Sequence, residues 1–339
     1  MAVKKVGKQT VKFKNPPTVL SVASIVGPKE REGPLGNYFD KTVSDDIFNE
    51  KSWEKAESKF IKEAICLATK KALMNIQDID YMLGGDLLNQ LMSTNFAARD
   101  MQIPFYGLFS ACSTLTESLG LGSKIIDGGY ADYVVVSTAS HFATAERQFR
   151  NPLELGNQRK LTAQWTVTGS GAAILSRKGH GPYITYVTTG KVIDLGINDV
   201  NNMGAAMAPA AVNTIVNHFK DTKSMPSDYD LIVTGDLGKI GREIAIELLE
   251  KENYKVEEDK FIDCGVEIFN HDCQDTHAGG SGAGCCAVVF CGYLFKQLVN
   301  KECNHILLVA TGALLSTTSC QQGESIPSIA HAVSIKMVL

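Results

Sequence analysis

The stretch FSACST, Phe109 to Thr114, sets one cysteine among small residues where a helical run begins. A thiol at a helix N-terminus is placed to ionise, because the peptide dipoles there favour negative charge. Ser110, Ala111 and Ser113 would leave the sulfur approachable, so Cys112 and Ser113 are candidate site residues. The alternative for Cys112 is the commonest fate of a free cysteine, a small buried hydrophobe. Acyl transfer needs more than a thiol. One or two His or Asn side chains must polarise a carbonyl and carry protons, and N–H groups must hold the oxyanion. His277, in THAGGSGAG, could take the first role, with an exposed or cap-forming histidine as its other reading. His141 ends a strand, where α/β sites collect ligands, and could equally be a cap.

A metal centre is not expected. His271, Asp272, Cys273, Asp275 and His277 crowd together, but their spacing fits no familiar zinc pattern. The acidic stretches DVNNMG and SDDIFNE are too sparse for a calcium loop.

These residues need a frame. Val19 to Val26 reads as a first strand, followed by a loop rich in Pro and Gly. Trp53 to Leu73 reads as a helix, with Trp53, Ala56, Phe60, Ala64, Leu67 and Ala68 at helical spacing. Asp80 to Asp86 reads as a short strand with a polar end, Ser113 to Asp127 as a helix, and Asp132 to Thr138 as a buried strand. Gly169 to Leu175 reads as a Gly-rich turn running into a strand. Alternation of this kind predicts an α/β fold.

The second half repeats the grammar. YDLIVTGDLG (Tyr229 to Gly238) echoes IDYMLGGDLL (Ile79 to Leu88), so that Asp86 and Asp236 fall in matching places. SGAGCC from Ser281 lies on FSACST with Cys112 opposite Gly284. Two copies of one unit are expected, residues 1–178 carrying Cys112 and residues 179–339.

The chain has 339 residues, 44% of them hydrophobic, 21% charged, with a net charge of −4. A large core is expected, and a nucleic-acid partner is not. Lys4, Lys5, Lys8, Lys12 and Lys14 form a solvated tail or a weak attraction to an anionic surface. The nine scattered cysteines, the charged start and the lack of a long apolar segment predict a cytoplasmic chain with free thiols and no transmembrane span.

The architecture resembles the thiolase superfamily, in which two βαβαβαββ halves pack as a five-layer αβαβα sandwich. The segments GPLGNYFDK (from Gly33), GDLLNQ (from Gly85), ACST (from Ala111), ATAERQFR (from Ala143), TVTGSGA (from Thr166), MAPAA (from Met207), AGGSG (from Ala278), VATGALLS (from Val309) and ESIPSIAH (from Glu324) narrow the resemblance. On them the chain resembles the stage V sporulation protein AD family. The resemblance implies a non-enzymatic protein that binds dipicolinate, or its calcium chelate, and assists its uptake into the developing spore and its release in germination. It implies no cofactor, a peripheral place at the spore inner membrane, and membrane-embedded partners from the same sporulation operon. A homodimer follows by analogy with thiolase-type halves.

Against the condensing enzymes of the superfamily the chain departs at one position. The strand matching Asp230 to Thr234 is followed there by a catalytic histidine, and here by Gly235-Asp236-Leu237-Gly238. An ionised Asp236 repels an oxyanion. An acyltransferase or condensing enzyme using Cys112 is the alternative activity.

A dicarboxylate needs N–H groups, hydroxyls or cations. Gly169, Ser170 and Gly279 belong to Gly-rich turns that can offer backbone N–H groups, or can mark tight packing instead. Arg147 and Arg150 can pair with carboxylates, or hold a loop through internal ion pairs. Asp86 could face a chelated calcium, or bond a neighbouring loop. With Asp236 and His277 these complete the candidate ligand site.

Overall fold

The computed structural model describes residues 3–150 and 158–338. One continuous sheet runs through the molecule in two wings of five strands. The first wing is ordered Phe105–Gly107, Tyr81–Gly85, Tyr133–Ser140, Gly169–Ser176, Thr18–Val26. The second is ordered Phe261–Asp263, Leu231–Thr234, His305–Ala313, Ser328–Lys336, Tyr183–Thr188. In each wing the first three strands are parallel and the last two run antiparallel. The wings meet at a single register pair, Thr18 with Tyr183. Thr10–Lys12 and Lys41–Thr42 add short strands to the inner edges.

Helices complete five layers. Trp53–Lys71 and Met92–Met101 cover the first wing, and Met203–Thr222 and Gly238–Lys251 cover the second. Between the wings lie Thr114–Asp127 and the run beginning with Ala283–Val289. Among the described residues no helix is long and apolar enough to cross a membrane.

Local chemistry explains the elements. Ser52 caps the Trp53–Lys71 helix by accepting the Lys55 N–H, Glu54 sits in its first turn, and Lys70 and Lys71 in its last. Its buried stripe is Ala56, Phe60, Ile61, Ala64, Ile65 and Ala68, while Trp53 and Leu67 lie at the margin. Burying an Ile or Phe of this kind contributes roughly 1.5–3 kcal/mol. The stretch from Gly169 differs from the sequence reading, because Gly169 and Ser170 are already strand, not turn. Both neighbours of this strand pair with it along its length, so its N–H groups belong to the ladders. A Cβ at Gly171 would lie 2.4 Å from the Ala287 carbonyl oxygen. That glycine lets the inner helix press onto the sheet.

Candidate functional site

The site is built on a strained turn. Beyond the Phe105–Gly107 strand the backbone passes through Ala111 at φ +48°. A left-handed alanine costs on the order of 1–2 kcal/mol, and a mesh of hydroxyls holds it. Thr114 Oγ1 accepts from the Ser110 N–H and donates to the Ala111 carbonyl, while Ser113 Oγ donates to the Ser110 carbonyl at 2.7 Å. Behind the turn, His331 Nδ1 accepts from the Gly190 N–H, which leaves Nε2 to donate to Ser110 Oγ at 3.2 Å. Burial pushes the His331 pKa down to about 4, so the ring is neutral. The turn feeds a short 3-10 segment, Ala111–Ser113, and then the Thr114–Asp127 helix. Ser113 is used within the turn, and Cys112 is left at the helix start, 8% exposed.

The thiol faces residues from the other half. Ser281 Oγ lies 4.0 Å from Cys112 Sγ. A two-stranded ladder carries it there, pairing Gly280 and Ser281 with Trp165 and Thr166. Ser281 Oγ donates to Asp236 Oδ2 at 2.8 Å and accepts from Arg150 Nη2 at 3.0 Å. Asp236 Oδ2 also accepts the Gly282 N–H, and Oδ1 accepts from Thr311 Oγ1 at 2.7 Å. Burial raises the Asp236 pKa, and the Thr311, Gly282 and Ser281 hydrogen bonds pull it back. Burial, then the Asp236 carboxylate, push the Cys112 thiol well above the ordinary cysteine range. The helix dipole is outweighed: at neutral pH the sulfur is a protonated thiol, and no imidazole touches it among the described residues.

The remaining candidates are bonded to partners of their own. Asp86 is fully buried, and its carboxylate accepts from the Leu88 N–H, the Thr94 N–H and Thr94 Oγ1. His141 caps the Phe142–Gln148 helix: Nδ1 accepts the Ala143 N–H, and Nε2 donates to the Asp46 carbonyl. Burial lowers its pKa. Arg147 is half-exposed and ion-paired with Glu54 at 3.2 Å. Ser170 Oγ donates to the Thr138 carbonyl within the sheet. Gly279, at φ +118°, donates its N–H to the Thr276 carbonyl. His277 bonds the Lys160 carbonyl through Nδ1 and Asp275 through Nε2. Of the crowded His/Asp/Cys stretch, His271 donates to the Val266 carbonyl and Asp275 pairs with Arg159. Among the described residues no three His, Cys, Asp or Glu side chains are grouped to hold a metal.

Ser281, Thr311 and Gln164 are not among the candidates read from the sequence. Ser281 and Thr311 supply the hydroxyls on Asp236, and Arg150 approaches them from the first half. Gln164 ties the walls together, donating from Nε2 to the Asp236 and Gly280 carbonyls. Ser281 stands in AGGSG, a segment already singled out, and Arg150 is read with Arg147 as a carboxylate partner or an internal tie, but neither spacing shows which side chain turns inward.

Loops at the C-terminal ends of the parallel strands form a cleft of about 550 Å³. Residues 87–91 form one wall and residues 314–317 with Ser319 another, with Phe109, Gln148 and Phe149 between them.

Residues 7–336 match the model of a family described as stage V sporulation protein AD. The curated stage V sporulation protein AD of Bacillus subtilis (strain 168) is 49% identical over 331 residues, covering 98% of this chain and 97% of the relative. Solved structures share the fold. Cerulenin-bound OleA from Xanthomonas campestris aligns with a TM-score of 0.62 at 13% identity, over 95% of this chain and 99% of its own. 3-Oxoacyl-(acyl carrier protein) synthase III from Pseudomonas aeruginosa PAO1 aligns with a TM-score of 0.60 at 11% identity, over 96% and 99%. The same enzyme from Aquifex aeolicus VF5 aligns at 0.57 and 12%, over 94% and 99%. The five-layer arrangement is therefore the thiolase-like fold.

Proposed function

Because the chain belongs to the stage V sporulation protein AD family, and is a sporulation protein of thiolase-like fold, we propose that it binds dipicolinate without catalysing a reaction. On this reading it assists dipicolinate uptake into the developing spore and its release in germination. The observation that carries the reading is Asp236. It stands beside the thiol, where a condensing enzyme would need a proton carrier, with its carboxylate fixed by Ser281, Gly282 and Thr311. A thiol held protonated beside a fixed carboxylate is a poor nucleophile.

On this reading the cleft between residues 87–91 and residues 314–317 takes the ligand, free or as its calcium chelate. Its amide and hydroxyl walls suit carboxylate oxygens, and no cofactor is needed. The protein would act peripherally at the spore inner membrane with membrane-embedded partners of its operon. Residues 1–178 and 179–339 would be two copies of one unit, and the chain would pair as a homodimer.

Titration calorimetry with sodium dipicolinate, with and without calcium, tests the reading. Saturable heat is expected, altered in Cys112→Ala. Flat titrations in both conditions would remove dipicolinate as the ligand.

A further inference from the structure

Two guanidinium groups converge on a small cavity beside the Cys112–Asp236 cluster. Its walls include Glu146, Phe149, Arg150, Arg159, Gln164 and Met203, and its volume is about 30 Å³. Arg159 has only 9% of its side-chain surface exposed. Its Nη2 donates to the Asp275 carbonyl and carboxylate, at 2.7 and 2.6 Å, and its Nη1 is buried with no hydrogen-bond partner among the described residues. Arg150 donates from Nη1 to the Gln164 carbonyl and from Nη2 to Ser281 Oγ, while its buried Nε likewise has no partner among the described residues.

A buried donor left unpaired is costly, the more so when it is charged. Two such donors, from two arginines on one cavity, call for an acceptor with two oxygens. The volume has room for roughly two water-sized oxygens, which fits a carboxylate head and excludes a ring. Glu146 shares the wall, but no ion pair within 4.0 Å joins it to either arginine among the described residues. Burial raises its pKa and the charges of Arg150 and Arg159 pull it back, but no hydrogen bond joins it to either guanidinium among the described residues. Phe149 and Met203 are apolar, and Phe149 also lines the larger cleft.

We propose that Arg150 and Arg159 form a carboxylate grip, which takes one carboxylate of an organic acid whose carbon body lies against Phe149. The identity of the natural acid rests on the function proposed above, and the carboxylate class rests on the two arginines. A dicarboxylate held this way leaves its second carboxylate on the side of the larger cleft.

Calorimetry on the full chain decides it, with sodium dipicolinate, sodium benzoate and the uncharged dimethyl dipicolinate. The two acids are expected to bind and the diester not to. Arg159→Gln and Arg150→Gln should each weaken both acids about tenfold or more. Asp275→Asn breaks the ion pair on Arg159 but keeps the guanidinium, and should cost less than about threefold. Should Arg159→Gln fail to fold by circular dichroism, Arg150→Gln and Arg159→Lys carry the same test. Dipicolinate binding that survives both arginine variants overturns the grip and leaves the proposed function standing. Arginine-dependent benzoate binding without dipicolinate binding sustains the grip and removes that function. An equal loss in Asp275→Asn reduces Arg159 to a structural ion pair and overturns the grip, as does failure of both acids to bind the parent protein.

Discussion

Asp86 and Asp236 follow matching strands in the two wings, and both are buried, but they serve different ends. Asp86 turns back on its own loop, holding Leu88 and Thr94. Asp236 turns away from its loop, toward Ser281, Gly282 and Thr311. The second half can release its aspartate because another has taken over the loop. Asp263, from the neighbouring strand, accepts the N–H groups of Leu237 and Gly238 and the hydroxyl of Thr234. One matching position is thus a structural clasp in one wing and a partner of the Cys112 cluster in the other.

The sharpest way to break this contrast is to remove each carboxylate. Asp86→Ala and Asp236→Ala should each lose about 2–4 kcal/mol in chemical denaturation, since each strands buried donors. Only the second half should feel the change at sulfur. With Asp236→Asn the thiol pKa falls, and alkylation of Cys112 at pH 8, followed by intact mass, should speed up about tenfold. Asp86→Asn should leave that rate within about twofold of the parent, and an equal acceleration would dissolve the distinction.

A smaller effect reads the clasp by pH. Burial raises the Asp263 pKa to about 6, above the ordinary aspartate value of 3.8. Between those values the folded chain holds the extra proton, so this group's contribution to stability falls as pH rises from about 4 to 6 and then levels. Asp263→Asn should remove roughly 1–3 kcal/mol of that slope, measured as melting temperature against pH. His305 and His331, both lowered to about 4, act in the opposite sense. The comparison is therefore between variant and parent. Smallest is Arg147→Ala, which removes a half-exposed ion pair with Glu54 and should change stability by less than about 0.5 kcal/mol.

Much of the frame was legible because it is written in local pattern. The strand at Val134, the helix after Cys112 and the echo of Asp86 in Asp236 follow from periodicity and repetition. The site was less so, because its bonds join distant parts of the chain. Ser281 reaches Cys112 across 169 positions, and Arg150 reaches Ser281 across 131. His141 and Arg147 carry chemistry that looks the same in a cap or an ion pair as in a ligand site, and only their partners tell which. Gly169 and Ser170 read as a turn because glycine usually marks one, whereas here small residues admit the inner helix.

The two inner helix starts also differ in what they can hold. Gly284 lies opposite Cys112 in the repeat, and a Cβ there would stand 2.6 Å from the Gly169 carbonyl oxygen and 2.8 Å from Ser140 Oγ. No side chain fits without moving a sheet strand. With a side chain at one helix start and no room for one at the other, a titration should saturate at one equivalent of ligand per chain.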